Sequence, residues 1–188
     1  MKDYTLPETE RLCFRPHILA DLDAFCAMEA DPDFRKYVGG RPRPREEAEA
    51  RFMKNLDHVS DGLSIWATVY KPENKYIGHC GVYPNFNAEG QPIPGEAALG
   101  LYFDKAYWGR GLATEAGRAF VQYGFKLFNL DKIVTTIRVG HDASVRVITK
   151  IGLQLVWTEH GQWCDFFHFA IDRDGFEQIS NVFNASIL

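Results

Sequence analysis

Between Trp108 and Glu115 the chain reads Trp-Gly-Arg-Gly-Leu-Ala-Thr-Glu, an octapeptide with the residue types of an anion cradle. Gly109 and Gly111 carry no Cβ, so their backbone can take positive φ and approach a ligand closely. Amides of residues 109 to 114 can then converge at the start of a following helix. There, unpaired N–H groups and the helix dipole stabilise a phosphate or pyrophosphate. Two other phosphate loops fail on inspection. No Lys-Ser/Thr follows the second glycine, as a Walker A loop requires. The window Gly109-x-Gly111-x-x-Thr114 also lacks the third glycine of a dinucleotide fingerprint. A glycine pair can equally well just turn a chain, so the reading depends on what flanks it.

The flanks supply a strand and a helix. Ala98 to Phe103 is an apolar run short enough for a strand buried on both faces. After the loop, Leu112, Ala116, Ala119, Tyr123 and Leu127 recur at helical spacing, widened by Ala113, Phe120 and Phe128, which predicts a helix to about Phe128. A strand follows from Lys132 to Val139. Next comes a short helix, with Asp142 as N-cap, Lys150 in the last turn and Gly152 as the left-handed stop. Upstream, a strand is expected over Arg11 to Arg15. A helix from Asp21 carries Leu22, Phe25, Cys26 and Glu29 at helical spacing. A Pro/Gly-broken loop over 31–45 bears Arg35, Lys36, Arg41, Arg43 and Arg45, either a patch that steers an acidic acceptor or a solvated face. A second helix has the stripe Ala48, Phe52, Leu56 and Val59. Strands are expected at Ser64 to Tyr70 and Tyr76 to Tyr83, then a long hairpin loop over Pro84 to Pro94. Leu153 to Trp157 and Phe166 to Ile171 complete the strand set. No linker or composition break divides these elements, which predicts one domain over residues 1–188.

At these residues the chain resembles the GNAT superfamily of N-acetyltransferases. Trp108-Gly109-Arg110-Gly111-Leu112-Ala113 matches that superfamily's [Q/R]-x-x-G-x-[G/A] acetyl-CoA loop. The run from Ala106 to Ala116 is similar to the branch containing the ribosomal-protein-alanine acetyltransferases. Thr9-Glu10-Arg11-Leu12 and the segment Ala143 to Leu153 agree with it. The resemblance implies an α/β (α+β) GNAT fold: a mixed, mostly antiparallel sheet of about seven strands with helices on both faces, splayed at the strands near 98–103 and 132–139. It implies acetyl-CoA as co-substrate and a primary amine as acceptor. The coenzyme-binding residues would be Leu101, Tyr102, Phe103, Trp108, Gly109, Arg110, Gly111, Leu112, Ala113, Thr114, His141 and Ser144. Ser144 would also protonate the departing thiolate, because Ile148 stands where many members carry a tyrosine. His141 replaces the branch's usual Asn, and Ala98 replaces a Glu that often serves as base.

The chemistry implied by the resemblance needs a neutral amine. An ammonium of pKa about 10.4 is neutral only about once in 2,500 molecules at pH 7, so a base or desolvation is required. Three candidates are visible. Glu96, two residues before Ala98, projects to the same side of its strand. Glu159 follows the Leu153 to Trp157 strand. His168 sits in the last apolar strand, where it could also be a core histidine. An N–H from the 101–103 strand edge would receive the developing oxyanion. The expected activity is direct transfer to a protein N-terminus or small-molecule amine. The alternative is an acyl-CoA-binding module of the same fold without turnover.

Composition narrows the class. The chain has 188 residues, 46% hydrophobic, with net charge −4, enough for one filled core and with no global signal for nucleic acid or a membrane surface. Residues 1–4 do not begin a secretion signal. The dispersed Cys13, Cys26, Cys80 and Cys164 read as reduced core thiols in a cytoplasmic protein. No metal site is expected, and a monomer or homodimer is expected.

Overall fold

A computed structural model describes residues 5–56 and 62–185, the last five by backbone alone. Seven strands form one sheet in the order β1-β2-β3-β4-β5-β7-β6. They are β1 (Leu12–Arg15), β2 (Ser64–Tyr70), β3 (Lys75–Phe86), β4 (Pro92–Phe103), β5 (Lys132–Arg138), β6 (Gln154–His160) and β7 (Asp165–Asp172). Every pairing is antiparallel except β4 with β5. The helices are α1 (Leu22–Ala30), α2 (Pro32–Arg35), α3 (Arg45–Leu56), α4 (Leu112–Phe128), α5 (Asp142–Ile151) and α6 (Arg173–Ala185). No helix among the described residues is long and apolar enough to cross a membrane.

The parallel pair sets the geometry. β4 and β5 are registered at Glu96↔Lys132, Ala97↔Ile133 and Ala98↔Val134, and nowhere beyond. Past Ala98, β4 stays with β3 as far as Phe103, while β5 stays with β7 as far as Arg138. The sheet therefore opens between them, as expected near 98–103 and 132–139. Lys132 Nζ lies 2.5 Å from Glu96 Oε1 and closes the sheet below the opening.

α4 lies under β4, and its buried face is wider than the predicted stripe. Leu112, Ala116, Phe120 and Tyr123 are buried, and so are Val121 and Phe125. The reason is that the helix packs on two sides. One face meets the sheet, where Gly117 sits against Leu101 and Ile151, and Phe125 stacks on Phe176 of α6. Leu127 belongs to the stripe by spacing but lies in the last turn, where it is exposed. On the opposite face α1 and α3 pack on β2 and β3 through Phe25, Phe52, Ala67 and Tyr76.

Four boundaries differ from expectation. The 84–94 hairpin loop shrinks to residues 87–91, because β3 and β4 continue through Pro84 and Pro92 with a bulge between Pro84 and Phe86. Asn87 closes the turn by accepting from the amides of Glu89 and Gln91. α5 begins at Asp142, making His141 rather than Asp142 the cap residue. Glu159 lies inside β6, and α6 adds a helix after the last strand. Val59 and residues 1–4 lie outside the described residues. Of the four thiols, all free, Cys26 and Cys80 are buried and Cys13 and Cys164 are half-buried.

Candidate functional site

α4 and α5 start at the open ends of the two parallel strands, the crevice in which open sheets of this kind hold ligands. Gly109 and Gly111 have φ of 74° and 79°, so both use the left-handed region that glycine makes accessible. The amide of Trp108 bonds the Lys105 carbonyl at 3.1 Å and that of Glu115 bonds Gly111 at 3.1 Å. No described residue accepts from the amides between them, and the Gly111 cap has no side-chain bond. A Cβ on Gly109 would meet nothing within 4 Å. Residues 109 to 114 thus present unpaired donors beside open space at a helix N-terminus, the arrangement that fits a diphosphate.

A polar knot holds this cradle. Glu115 accepts from Thr9 Oγ1 at 2.6 Å, the Arg11 amide at 2.9 Å and Arg11 Nε at 2.7 Å. Arg11 also donates to the Arg110 carbonyl at 2.9 Å. Burial pushes the Glu115 carboxyl up, but these bonds and the Arg11 charge outweigh it and hold its pKa below the usual range. The Thr9-Glu10-Arg11-Leu12 motif therefore has a mechanical meaning, since it ties β1 to the first turn of α4. Trp108 ties the loop to β4, its Nε1 donating to the Phe103 carbonyl at 2.7 Å. Arg110 lies over the Tyr107 ring at 4.8 Å.

Backbone alternation sets what the splayed edge offers. Thr135 Oγ1 donates to the Leu99 carbonyl at 3.0 Å, so that peptide group faces β5. Alternation turns the groups of Leu101 and Phe103 the same way, and the Phe103 carbonyl is the one Trp108 occupies. The N–H and C=O of Leu101 are left facing the gap. Leu101's side chain points to α4, whereas Tyr102 projects to the other face. There Tyr102 lines a cavity of about 160 Å³ with Arg51, Asn55, Ile65, His79 and Tyr83. Burial, then the nearby His17 and Arg51, holds His79 well below the usual histidine range.

Ser144 lies in the first turn of α5. Its amide bonds the His141 carbonyl at 3.0 Å, while its half-buried hydroxyl has no partner among the described residues. His141 stacks on Tyr37 with ring centroids 4.1 Å apart and an interplanar angle of 6°. Burial lowers its pKa, against the pull of Asp142, with Lys36 adding to the lowering.

The three base candidates fall in different surroundings. Glu96 is on the Ala98 face as the spacing predicts, but Lys132 and Asn85 Nδ2, the latter at 3.0 Å, hold its carboxylate. Glu159 and His168 meet, Nε2 to Oε2 at 2.8 Å, although they come from different strands. Trp157 stacks on the His168 ring at 4.0 Å. Sequence reasoning treated these residues separately, because the strand register that joins them carries no local signal. The basic loop is mostly self-neutralised. Arg35 and Arg43 pair with buried Glu29, Arg41 pairs with Glu47, and Arg45 pairs with Asp23 and Glu49. Neither expectation describes the whole loop: Arg41 and Arg45 are exposed and paired, whereas Arg35 is buried and, with Arg43, neutralises buried Glu29.

The family model for the Acetyltransferase (GNAT) domain matches residues 11–154. An uncharacterized N-acetyltransferase of Bacillus subtilis (strain 168), YnaD, is 28% identical over 169 residues, covering 87% of this chain and 94% of its own. Another from Bacillus licheniformis, p20, is 30% identical over 152 residues, covering 78% and 80%. Among solved structures, an acetyltransferase (GNAT family) from Bacillus anthracis superimposes with a TM-score of 0.77 at 26% identity, covering 90% of this chain and 99% of that one. Spermidine N-acetyltransferase from Vibrio cholerae, solved with CoA and spermine, superimposes with a TM-score of 0.71 at 16% identity, covering 89% and 99%. The last likeness speaks for the fold alone.

Proposed function

The chain belongs to the GNAT family of acetyltransferases, and on that premise we propose that it moves an acetyl group from acetyl-CoA to a primary amine by direct attack. The observation that carries this reading is the set of unpaired amides from 109 to 114 beside the unpaired Leu101 edge. The cradle would hold the diphosphate through the amides of Gly109 to Thr114, flanked by Trp108 and Arg110. The edge over Leu101, Tyr102 and Phe103 would take the pantetheine amides as a strand takes a neighbour. The thioester supplies an activated acetyl carbon; the chain's own groups must orient it, receive charge and move protons. The Leu101 N–H is the donor suited to the developing oxyanion. Ser144, with its hydroxyl uncommitted, would protonate the departing sulfur, and His141 with Tyr37 would wall the same end. We read the whole sheet, uninterrupted from β1 to β6, as one catalytic unit.

The acceptor is an amine of a protein N-terminus or a small molecule. A relative in fold acts on spermidine, which places polyamines in the panel beside peptides, amino acids and aminoglycosides. Protein, acetyl-CoA and each amine are mixed and released thiol is measured. Thiol release with at least one amine is expected, and none with any amine overturns catalysis. One observation favours a second reading, the acyl-CoA-binding module without turnover: Ala98 stands where the branch often carries Glu. Calorimetric binding of acetyl-CoA with no thiol release would select it.

A further inference from the structure

With Ala98 in β4 and Glu96 held by Lys132, the acetyl-transfer reading lacks a proton acceptor there. We propose that His168 Nδ1 takes the proton from the acceptor ammonium, with Glu159 as the residue that orients the ring. The proposal deepens the acetyl-transfer reading and rests on it.

Register puts the group in place. Val134 lies opposite Ala98, and two residues on Thr136 lies opposite His168, which pairs in turn with Trp157. Side chains paired across strands share a face, so Ala98, Gly100, Tyr102, Val134, Thr136, His168, Trp157 and Glu159 project from one side of the sheet. α4 and α6 pack on the other side, and α1 and α3 cover only β2 and β3. Among the described residues, Thr136, Trp157 and Glu159 on this half of the sheet are exposed. The His168 side chain is 25% exposed and that of Glu159 is 48% exposed. A bulge between Leu155 and Trp157 breaks the alternation and turns the indole onto the imidazole, the two rings within 7° of parallel.

The hydrogen bonds assign the tautomer. A carboxylate only accepts, so Nε2 carries the hydrogen that it donates to Glu159 Oε2 at 2.8 Å. Nδ1 is then the lone pair. Thr136 Oγ1, at 3.3 Å, marks the direction in which it accepts: toward β5, the strand that borders the gap. Once protonated, the ring lies between a carboxylate and an indole face, and both stabilise the cation. This is the arrangement by which an acid holds a catalytic imidazole in its working tautomer. As a strut for the sheet, an exposed pair of this kind contributes little. Other charged or titratable groups on this face are Arg138, bonded to the Lys36 carbonyl at 3.0 Å, Lys132 with Glu96, and Tyr102 and Tyr83 across the gap. The His160–Asp165 pair, 3.0 Å apart, lies at the end of the β6–β7 hairpin.

The proton balance is as follows. The ammonium gives one proton to Nδ1, leaving a neutral amine and an imidazolium that later releases the proton to water. The amine lone pair forms the N–C bond and the C–S bond breaks. The nitrogen's second proton ends on the sulfur, delivered by way of Ser144. Amide, free thiol and one proton in solvent are the products.

Two measurements test it. In ¹⁵N-detected NMR of the protein without substrates, His168 is expected in the Nε2–H tautomer; an Nδ1–H tautomer overturns the proposal. In kinetics on an amine found active in the acceptor panel, kcat/KM should fall on the acid side with one ionisation. His168→Gln should abolish that limb and lower the rate about 100-fold, with acetyl-CoA binding by calorimetry unchanged. Glu159→Gln should lower kcat about tenfold with acetyl-CoA affinity unchanged and let both His168 tautomers appear in the NMR measurement. A His168→Gln enzyme with the parent's rate and pH limb, or a Glu159→Gln enzyme with the parent's rate and His168 tautomer, overturns the base assignment but leaves acetyl transfer standing. Absence of turnover with every amine overturns both.

Discussion

Glu115 anchors three separate donors, and that concentration makes it a sensitive point for the cradle. Glu115→Ala should lower stability by about 2 kcal/mol, since the carboxylate is buried on one side and Arg11 is 37% exposed. In a chain of this length that is a fall in Tm of about 4–8 °C. Removing a negative charge near an anion site would by itself tighten coenzyme A binding, so calorimetry separates two effects. A weaker Kd, by about tenfold, means that loop order dominates; a tighter one means that the knot only serves stability. The folded carboxyl pKa is lowered, so its contribution is present above the unfolded carboxyl pKa and is lost as pH falls through the folded value. At the α5 cap the expected signature differs. On the proposed mechanism, in which the leaving sulfur uses the hydroxyl, Ser144→Ala should lower kcat about ten- to a hundredfold and change coenzyme A affinity far less.

At the scale of elements, the opening between β4 and β5 depends on β4 being held from its other side. β3 does this with a close approach at Gly78, where φ is 145° and an added Cβ would sit 2.1 Å from the Tyr102 carbonyl oxygen and 2.9 Å from Phe103 Cα. Those are backbone atoms, which cannot rotate aside. Gly78→Ala should therefore cost about 3 kcal/mol or more and shift the Leu101–Phe103 edge. Urea denaturation measures the first effect, and loss of coenzyme A affinity beyond that of an equally destabilised core variant measures the second. On the far side, Arg138 bonds the Lys36 carbonyl at 3.0 Å and fastens β5 to the chain after α2. The gap is thus bounded by strands that are each secured elsewhere.

Over the whole molecule, acid should act through the N-terminal layer. His17 is buried among Phe52, Tyr76 and His79, and neither ring nitrogen has a partner among the described residues. Burial lowers its pKa to about 4, with the Asp21 charge opposing and Arg15 adding to the shift. His79, lowered by burial in the same cluster, acts with the same sign. A histidine whose folded pKa is depressed binds its proton more readily when unfolded. The fold loses stability as pH falls below the unfolded value of about 6.5, and the share due to His17 levels off near pH 4. His17 alone accounts for about 3 kcal/mol of it. Urea midpoints between pH 7 and 4 should fall accordingly, and His17→Phe should flatten the curve. A midpoint independent of pH over that window would refute the assignment.

The two-glycine loop at the start of α4 was legible in sequence because everything it needs is local: two glycines, a strand before and an amphipathic helix after. The helix stop at Gly152, with φ of 114°, was legible for the same reason. Prolines 84 and 92 misled, since they mark turns by propensity and yet sit inside β3 and β4, where a bulge and a sheet end tolerate them. Periodicity located α4 but not its width, because a second layer of helices is invisible to a one-face stripe. Glu159 and His168 could be named from their types, but not as partners of each other, Trp157 and Thr136. Local residue preferences therefore determined most of the strands, the helices and the glycine loop of this chain. The splay, the self-neutralised basic loop and the imidazole–carboxylate pair were decided only by strand register and packing, which join residues that the sequence holds far apart.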